Sequence, residues 1–139
     1  MRISTLFAFL FLAAALSAQP QTIPAKKSDI TITPILHASM VLQWHGKTIF
    51  VDPYGGADLY ASFGAPDLVL ITDIHGDHLN QETLNGLDLA KAELIAPPAV
   101  IDQLGDVQFH KTHSLANGAD TKWQSIQVAA IPMYNLPET

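Results

Sequence analysis

The chain has 139 residues, of which 48% are hydrophobic, and this composition is typical of a globular domain rather than of a disordered chain. It carries seven basic and thirteen acidic residues, a net charge of −6 with histidine neutral, so we expect no nucleic-acid partner. It contains no cysteine, which excludes disulfides and leaves histidine and carboxylate as the ligands for any metal.

The first 18 residues have the pattern of a secretory signal peptide. Arg2 supplies a positive charge, residues 6–16 form an unbroken apolar run, and small residues at 17–18 offer a cleavage site. This run is too short for a permanent transmembrane helix, so we expect a secreted or periplasmic protein without stable membrane insertion. Removal of the leader leaves six lysines against thirteen acidic residues, a net charge of −7. Residues 19–28 contain two prolines and predict a linker before a domain at 29–139.

Three short strands are expected next, joined as an antiparallel meander. Residues 29–35 alternate β-branched and polar side chains, and strands at 38–44 and 48–51 flank a His-Gly-Lys turn. The third strand ends in Asp52, which is followed by a proline that stiffens the turn. Residues 57–63 predict a short helix or a lid loop.

The most informative stretch follows a run that is typical of a strand buried on both faces, residues 67–72. Two carboxylates and two imidazoles then occur within six residues, at Asp73, His75, Asp77 and His78. In α/β folds, the loops at the carboxyl ends of buried strands bind ligands and metals. Asp73 and His75 point the same way in extended backbone, and a turn at Gly76 would let the next pair face the same pocket.

A simpler interpretation of this stretch is also open. Aspartate, glycine, asparagine and histidine are common in turns, so residues 73–80 could form a solvated connection between a strand and a helix. In that case Asp77 or Asn80 would cap the next helix, which we expect to run to about Lys91.

The rest of the chain alternates between strand and helix, which predicts parallel neighbours and a mixed sheet in an α/β (α+β) domain. Strands are expected at 93–96, 107–110 and 125–131, with a helix beginning near Pro97. His110 and His113 are three residues apart, but they lie in a predicted strand and turn, and we assign them no metal role.

Several of these segments resemble the metallo-β-lactamase superfamily. The run from Asp73 to His78 looks like its His-x-His-x-Asp-His signature, in which the first two ligands hold one metal and the Asp-His pair holds a second. Residues 36–42 and 46–53 are similar to the opening strands of the branch that contains ascorbate-phosphate-lactonase-like hydrolases. The resemblance implies the amino-terminal half of an αββα sandwich, a domain truncated at its carboxyl end, whose later metal ligands would lie downstream of Thr139.

The resemblance also implies a function, a metal-dependent hydrolase that acts on an ester, lactone or phosphodiester of a small-molecule substrate. Two divalent ions, zinc or else manganese or iron, would activate water, and Asp77 would orient that water and carry its proton to the leaving group. Asp73 departs from the signature histidine, and its harder oxygen moves the preference toward manganese or iron. Asp52 corresponds to a residue that supports the metal loop by hydrogen bonds, although an ordinary Asp-Pro turn is equally compatible.

Two alternatives remain at this point, a catalytically inactive fragment and a non-enzymatic periplasmic binding module. The sequence leaves the oligomeric state open.

Overall fold

The computed structural model describes residues 19–133. The predicted signal peptide, residues 1–18, lies outside the described residues, as do residues 134–139. The described part contains, in chain order, β1 (Gln21–Ile23), β2 (Ile30–Pro34), β3 (Met40–Trp44), β4 (Lys47–Val51), a 3₁₀ helix (Ala57–Phe63), β5 (Leu68–Leu70), α1 (Gln81–Gly86), β6 (Glu93–Ala96), α2 (Pro98–Ile101), β7 (Lys111–Ser114), β8 (Asp120–Trp123) and β9 (Ile126–Ala129). Within residues 19–133, the structure contains no helix with the length and apolar character needed to cross a membrane.

Seven strands form one mixed sheet in the order β1 to β7. The strands from β1 to β4 pair in antiparallel fashion, as the predicted meander requires. From β4 to β7 the neighbours are parallel, because each crossover carries the chain back to the same starting edge. The carboxyl ends of these four strands therefore meet at one edge of the sheet. β8 and β9 form a separate antiparallel hairpin.

Neighbouring residues in the central strands face opposite sides of the sheet. Phe50 and Val69 belong to the core cluster that the sheet shares with the helices. Ile49 and Leu68 belong to a second cluster, which includes Trp123 of the hairpin. Both faces of β4 and β5 are thus buried, which explains their continuous apolar sequences.

Two of the sequence predictions differ from the structure, one in the type of element and one in its position. Residues 19–28, predicted as a linker, contain β1, which pairs with β2 through three exposed residues and extends the sheet. The strand predicted at 107–110 lies later, at β7. Val107 is buried in the helix-side core from a loop, and pairing with β6 begins only at Lys111, opposite Glu93.

Two other elements differ from the expectation. The helix predicted to reach about Lys91 ends at Gly86, and Leu87 already has extended backbone angles, since glycine weakens a helix. β8 was not predicted because three of its four residues are polar, and two of them are exposed. The turn into β9 contains Gln124 at a φ of 50° instead of the glycine that usually marks a hairpin.

Candidate metal centre

The candidate site lies at the C-terminal ends of the parallel strands. Asp52 follows β4, and Thr72 follows β5 after one more buried residue. The two strands pair with Val51 opposite Leu70, and the Asp52 N–H donates to the Leu70 carbonyl oxygen at 2.9 Å. The sheet itself therefore brings Asp52 and Thr72 together.

Asp52 is the centre of a buried hydrogen-bond network, and its side chain is only 3% exposed. Its Oδ1 accepts a hydrogen bond from the Thr72 N–H at 2.7 Å, and its Oδ2 accepts one from the Thr72 hydroxyl at 2.7 Å. The same Oδ2 lies 2.9 Å from Nδ1 of His78. On the backbone side, the Ser39 hydroxyl donates to the Asp52 carbonyl oxygen. These contacts confirm that Asp52 supports the loop by hydrogen bonds.

The network fixes the tautomer of His78. A carboxylate only accepts hydrogen bonds, so the ring nitrogen that faces Asp52, Nδ1, carries the proton. The Thr72 hydroxyl is 3.0 Å from the same nitrogen and gives its own proton to the carboxylate. In the neutral ring Nε2 of His78 then keeps its lone pair, and Oδ2 of Asp77 lies 4.0 Å from it. A histidine prepared in this way is suited to bind a metal through Nε2.

Asp73 and His75 form the second pair of predicted ligands. Oδ2 of Asp73 lies 3.1 Å from Nδ1 of His75, and the two side chains are 41% and 59% exposed. Burial raises the pKa of Asp73, but the hydrogen bonds from the Ile74 N–H and from His75 outweigh it and leave the pKa below its usual value of 3.8. Asp73 is therefore a carboxylate at neutral pH and can act as a metal ligand.

The chain reverses between these pairs without a special role for Gly76. The N–H groups of His78 and Leu79 both donate to the His75 carbonyl oxygen, at 2.9 and 2.8 Å, which closes a turn of helical type. Gly76 lies outside the left-handed region, and a Cβ atom there would meet nothing within 4 Å. The expectation that Gly76 permits the turn is wrong, because residues with side chains can adopt the same conformation.

The structure thus brings the four predicted ligands together as two pairs, Asp73 with His75 and Asp77 with His78. Among residues 19–133, no three histidine, aspartate or glutamate side chains are grouped closely enough to hold one ion. The donors fit a metal chemically, since carboxylate and imidazole suit zinc, manganese and iron. Each pair supplies two protein ligands where a catalytic zinc uses three, so each needs completion by further groups.

Other residues show what the sequence left out. Thr72 and Ser39 fall within predicted strands, and the sequence predicts no site role for either, yet the hydroxyl groups of both donate to Asp52. A hydroxyl residue at the polar end of an apolar strand was the available signal for Thr72; Ser39 gave none. Nε2 of His113 lies 2.6 Å from Oε2 of Glu93, so His113 has a carboxylate partner on the neighbouring strand.

A comparison with protein families matches residues 31–138 to the beta-lactamase superfamily domain. This chain belongs to the beta-lactamase superfamily. The match spans the strands that carry Asp52, the candidate metal loop and the hairpin, and it confirms the resemblance seen in the sequence.

Relatives of this superfamily member agree with the fold. A UPF0173 metal-dependent hydrolase of Lysinibacillus sphaericus is 35% identical over 89 residues, which are 59% of this chain and 37% of that protein. The crystal structure of a proposed metal-dependent hydrolase from Parabacteroides distasonis has a TM-score of 0.73 and 31% identity, covering 86% of this chain and 53% of its own. CmlA, a diiron β-hydroxylase from Streptomyces venezuelae, shares the fold at a TM-score of 0.58 and 22% identity, covering 81% of this chain and 25% of its own.

This superfamily member therefore spans between a third and about half of the first two relatives' length. Its mixed sheet and its structural match confirm the predicted fold class, one half of a metallo-β-lactamase fold.

Proposed function

We propose that this beta-lactamase superfamily protein is a metal-dependent hydrolase that directs a metal-activated water onto an ester, lactone or phosphodiester. The observation that carries the proposal is the contact between Asp52 and His78. A buried carboxylate that accepts a hydrogen bond from one imidazole nitrogen and leaves the other open is the usual partner of a metal-binding histidine. A loop that only capped a helix would not need this arrangement. The names of two relatives, which describe metal-dependent hydrolases, support the same function.

Each of the four candidate ligands has a place in this proposal. Asp73 and His75 would hold one divalent ion, and Asp77 and His78 would hold another, with the remaining ligands supplied from outside these pairs. A bound ion supplies Lewis acidity and lowers the pKa of a coordinated water toward ~7. Asp77, whose side chain is 45% exposed, can accept the proton of the attacking water and deliver it to the leaving group.

The metal preference follows from the donor atoms. An oxygen at Asp73 is a harder ligand than the imidazole of the signature, so manganese or iron should compete with zinc more effectively than at a histidine site. The predicted signal peptide adds the proposal that the protein acts in the periplasm or outside the cell. Fractionation of the source cells tests this, and recovery in the cytoplasm with residues 1–18 still attached would contradict it.

The test of the function uses the full-length natural protein, freed of metal with a chelator and reloaded with zinc, manganese or iron. Hydrolysis of p-nitrophenyl acetate, a simple lactone and bis(p-nitrophenyl) phosphate is measured in the double variant His75→Ala with His78→Ala. The matched control replaces the exposed His45 and His110, two histidines outside the loop, in the same way. We expect metal-dependent hydrolysis in the control and loss of both hydrolysis and bound metal in the loop variant.

The other outcomes identify the alternatives. Metal binding without hydrolysis of any of the three substrate classes would favour a catalytically inactive protein. Equal metal content and stability in both variants would favour a binding module in which the loop only connects β5 to α1.

A further inference from the structure

A second set of hydrogen bonds, centred on Asn80, ties the candidate metal loop to the neighbouring structure. Oδ1 of Asn80 accepts hydrogen bonds from the Thr83 N–H at 2.9 Å and from the Thr83 hydroxyl at 2.8 Å. Nδ2 of Asn80 donates to the Gly76 carbonyl oxygen at 3.2 Å. The Thr83 hydroxyl in turn accepts from the Gly56 N–H at 3.0 Å, and Thr83 is only 1% exposed. The loop after β4, helix α1 and the metal loop are thus joined through two side chains.

We propose that Asn80 is a positioning residue for the candidate metal centre, acting on the loop through the Gly76 carbonyl group. Gly76 lies between His75 and Asp77, one from each ligand pair, so a fixed carbonyl there sets the position of one pair relative to the other. The proposal rests on the proposed metal site, and it concerns geometry and not the chemical step.

Helix capping alone does not account for this residue. Aspartate and serine cap a helix about as well as asparagine, because each offers a side-chain oxygen to the first N–H groups. Of these, only asparagine also carries an amide N–H group that can reach back to Gly76 while its oxygen caps α1. The side chains of Asp73, His75 and Asp77 are 41% to 59% exposed and have little packing to hold them, so hydrogen bonds must position the loop.

The capping and positioning roles can be separated by single substitutions. Asn80→Asp and Asn80→Ser both keep an oxygen for the cap of α1 and remove the amide donor to Gly76. Asn85→Asp is the matched control, because Asn85 is an exposed residue of the same helix and gains the same charge. Asn80→Ala removes both contacts and serves as the reference for a lost cap.

The measurements are the Tm of the metal-free full-length protein, its affinity for Zn²⁺ by competition with a chelator, and the visible absorption spectrum with Co²⁺. For Asn80→Asp and Asn80→Ser we expect an affinity at least about tenfold lower than that of the wild type, the usual effect of removing an indirect support of a metal site. Their metal-free Tm should stay within about 2 °C of the wild type. The Co²⁺ spectrum should change, because it reports ligand geometry, which a lost cap alone would not alter.

Charge cannot produce this result by itself, since an added carboxylate near a cation would raise the affinity. Wild-type affinity in either Asn80→Asp or Asn80→Ser, or an equal loss in Asn85→Asp, would overturn the role of Asn80. An affinity that falls only in proportion to Tm across all variants, including Asn80→Ala, would also overturn it. A wild-type protein that binds neither Zn²⁺ nor Co²⁺ would instead overturn the metal site itself.

Discussion

Replacement of Asp52 by asparagine is the sharpest test of how the buried network prepares His78. The change keeps the shape of the side chain and the Oδ1 acceptor for the Thr72 N–H, but it replaces Oδ2 by an amide nitrogen. Asp52 has a φ of 44°, in the left-handed region, and asparagine tolerates this region at least as well as aspartate. The backbone therefore adds no strain, and the measured effect belongs to the lost carboxylate oxygen.

The magnitude follows from the contacts of Oδ2. It accepts hydrogen bonds from the Thr72 hydroxyl at 2.7 Å and from Nδ1 of His78 at 2.9 Å, and each such bond to a charged group contributes about 1.5–3 kcal/mol. The threonine hydroxyl can rotate and accept from the new amide, and the amide can donate to Nδ1 of His78 in the other tautomer. Both bonds are then replaced by neutral ones, which contribute only about 0.5–1.5 kcal/mol each. We expect a loss of about 2–3 kcal/mol and a fall in Tm of about 10 °C for a domain of this size.

The substitution should also weaken metal binding at the candidate site. An amide N–H that faces Nδ1 of His78 favours the tautomer in which Nδ1 accepts and Nε2 carries the proton, and a protonated Nε2 cannot bind a metal. Zinc affinity should fall about 10-fold to 100-fold. The tautomer itself can be read from the ¹⁵N chemical shifts of the His78 ring in the metal-free protein.

Asp67→Asn is the matched control for this substitution. Asp67 also accepts a backbone hydrogen bond, from the Thr48 N–H at 2.9 Å, and its carboxylate pairs with Lys47 at 2.7 Å. It precedes β5, however, and so lies at the N-terminal ends of the parallel strands, away from the candidate site. Both partners of this ion pair are one-third exposed, so its loss should cost less than about 1 kcal/mol and leave zinc affinity unchanged. If Asp52→Asn kept the wild-type tautomer, Tm and affinity, the assignment of the proton to Nδ1 would be refuted.

Three further predictions concern other parts of the chain. The hydrogen bond from His113 lowers the pKa of Glu93 below its usual value of 4.5, so the stability that Glu93 contributes is present above pH 4.5 and is lost as the pH falls through its lower folded value. Glu93→Gln should remove this part of the acid unfolding curve, and an unchanged curve would contradict the prediction. Gly55→Ala should lower the free energy of unfolding by more than about 1 kcal/mol in a denaturant titration, because its φ is 89° and a Cβ would lie 2.8 and 2.9 Å from two leucine side chains. Gly76→Ala, where φ is ordinary and space is open, is the control and should leave stability within about 0.5 kcal/mol. Asp73→His should raise the ratio of zinc to manganese affinity in chelator competition, and an unchanged ratio would show that residue 73 does not bind the metal.

The parts of the site that are local in sequence were predictable. The four ligand candidates occur within six residues after an apolar run, and the strand at 93–96 has the predicted bounds, because local pattern and burial agree there. The contact between Asp52 and His78 joins residues 26 positions apart and depends on the pairing of β4 with β5. Sequence periodicity carries no information about such a contact, and only the family resemblance suggested it. β8 was not predicted for another reason. Its polar composition does not favour a strand, and pairing with β9 stabilises it in that conformation.

For Asn80, the sequence predicts one of its two side-chain contacts and not the other. The sequence identified it as a possible helix cap, and the structure confirms that its side chain accepts from Thr83. Its amide group, however, reaches Gly76, and a cap preference alone does not indicate where the second functional atom of the residue points.

The exposure of Asp73 and His75, the proposed ligand pair at the start of the loop, bears on how the metal specificity of such a protein can evolve. Asp73 and His75 are about half exposed, whereas the residues that stabilise the domain lie in the strands and helices beneath them. Exchanges at these two positions therefore cost little folding stability, and selection can act on them through metal chemistry alone. If Asp73 and His75 bind a metal as proposed, a lineage can change its metal preference by single substitutions at these positions without an intermediate that fails to fold. The aspartate at position 73, where the signature has histidine, is the kind of exchange that such freedom allows.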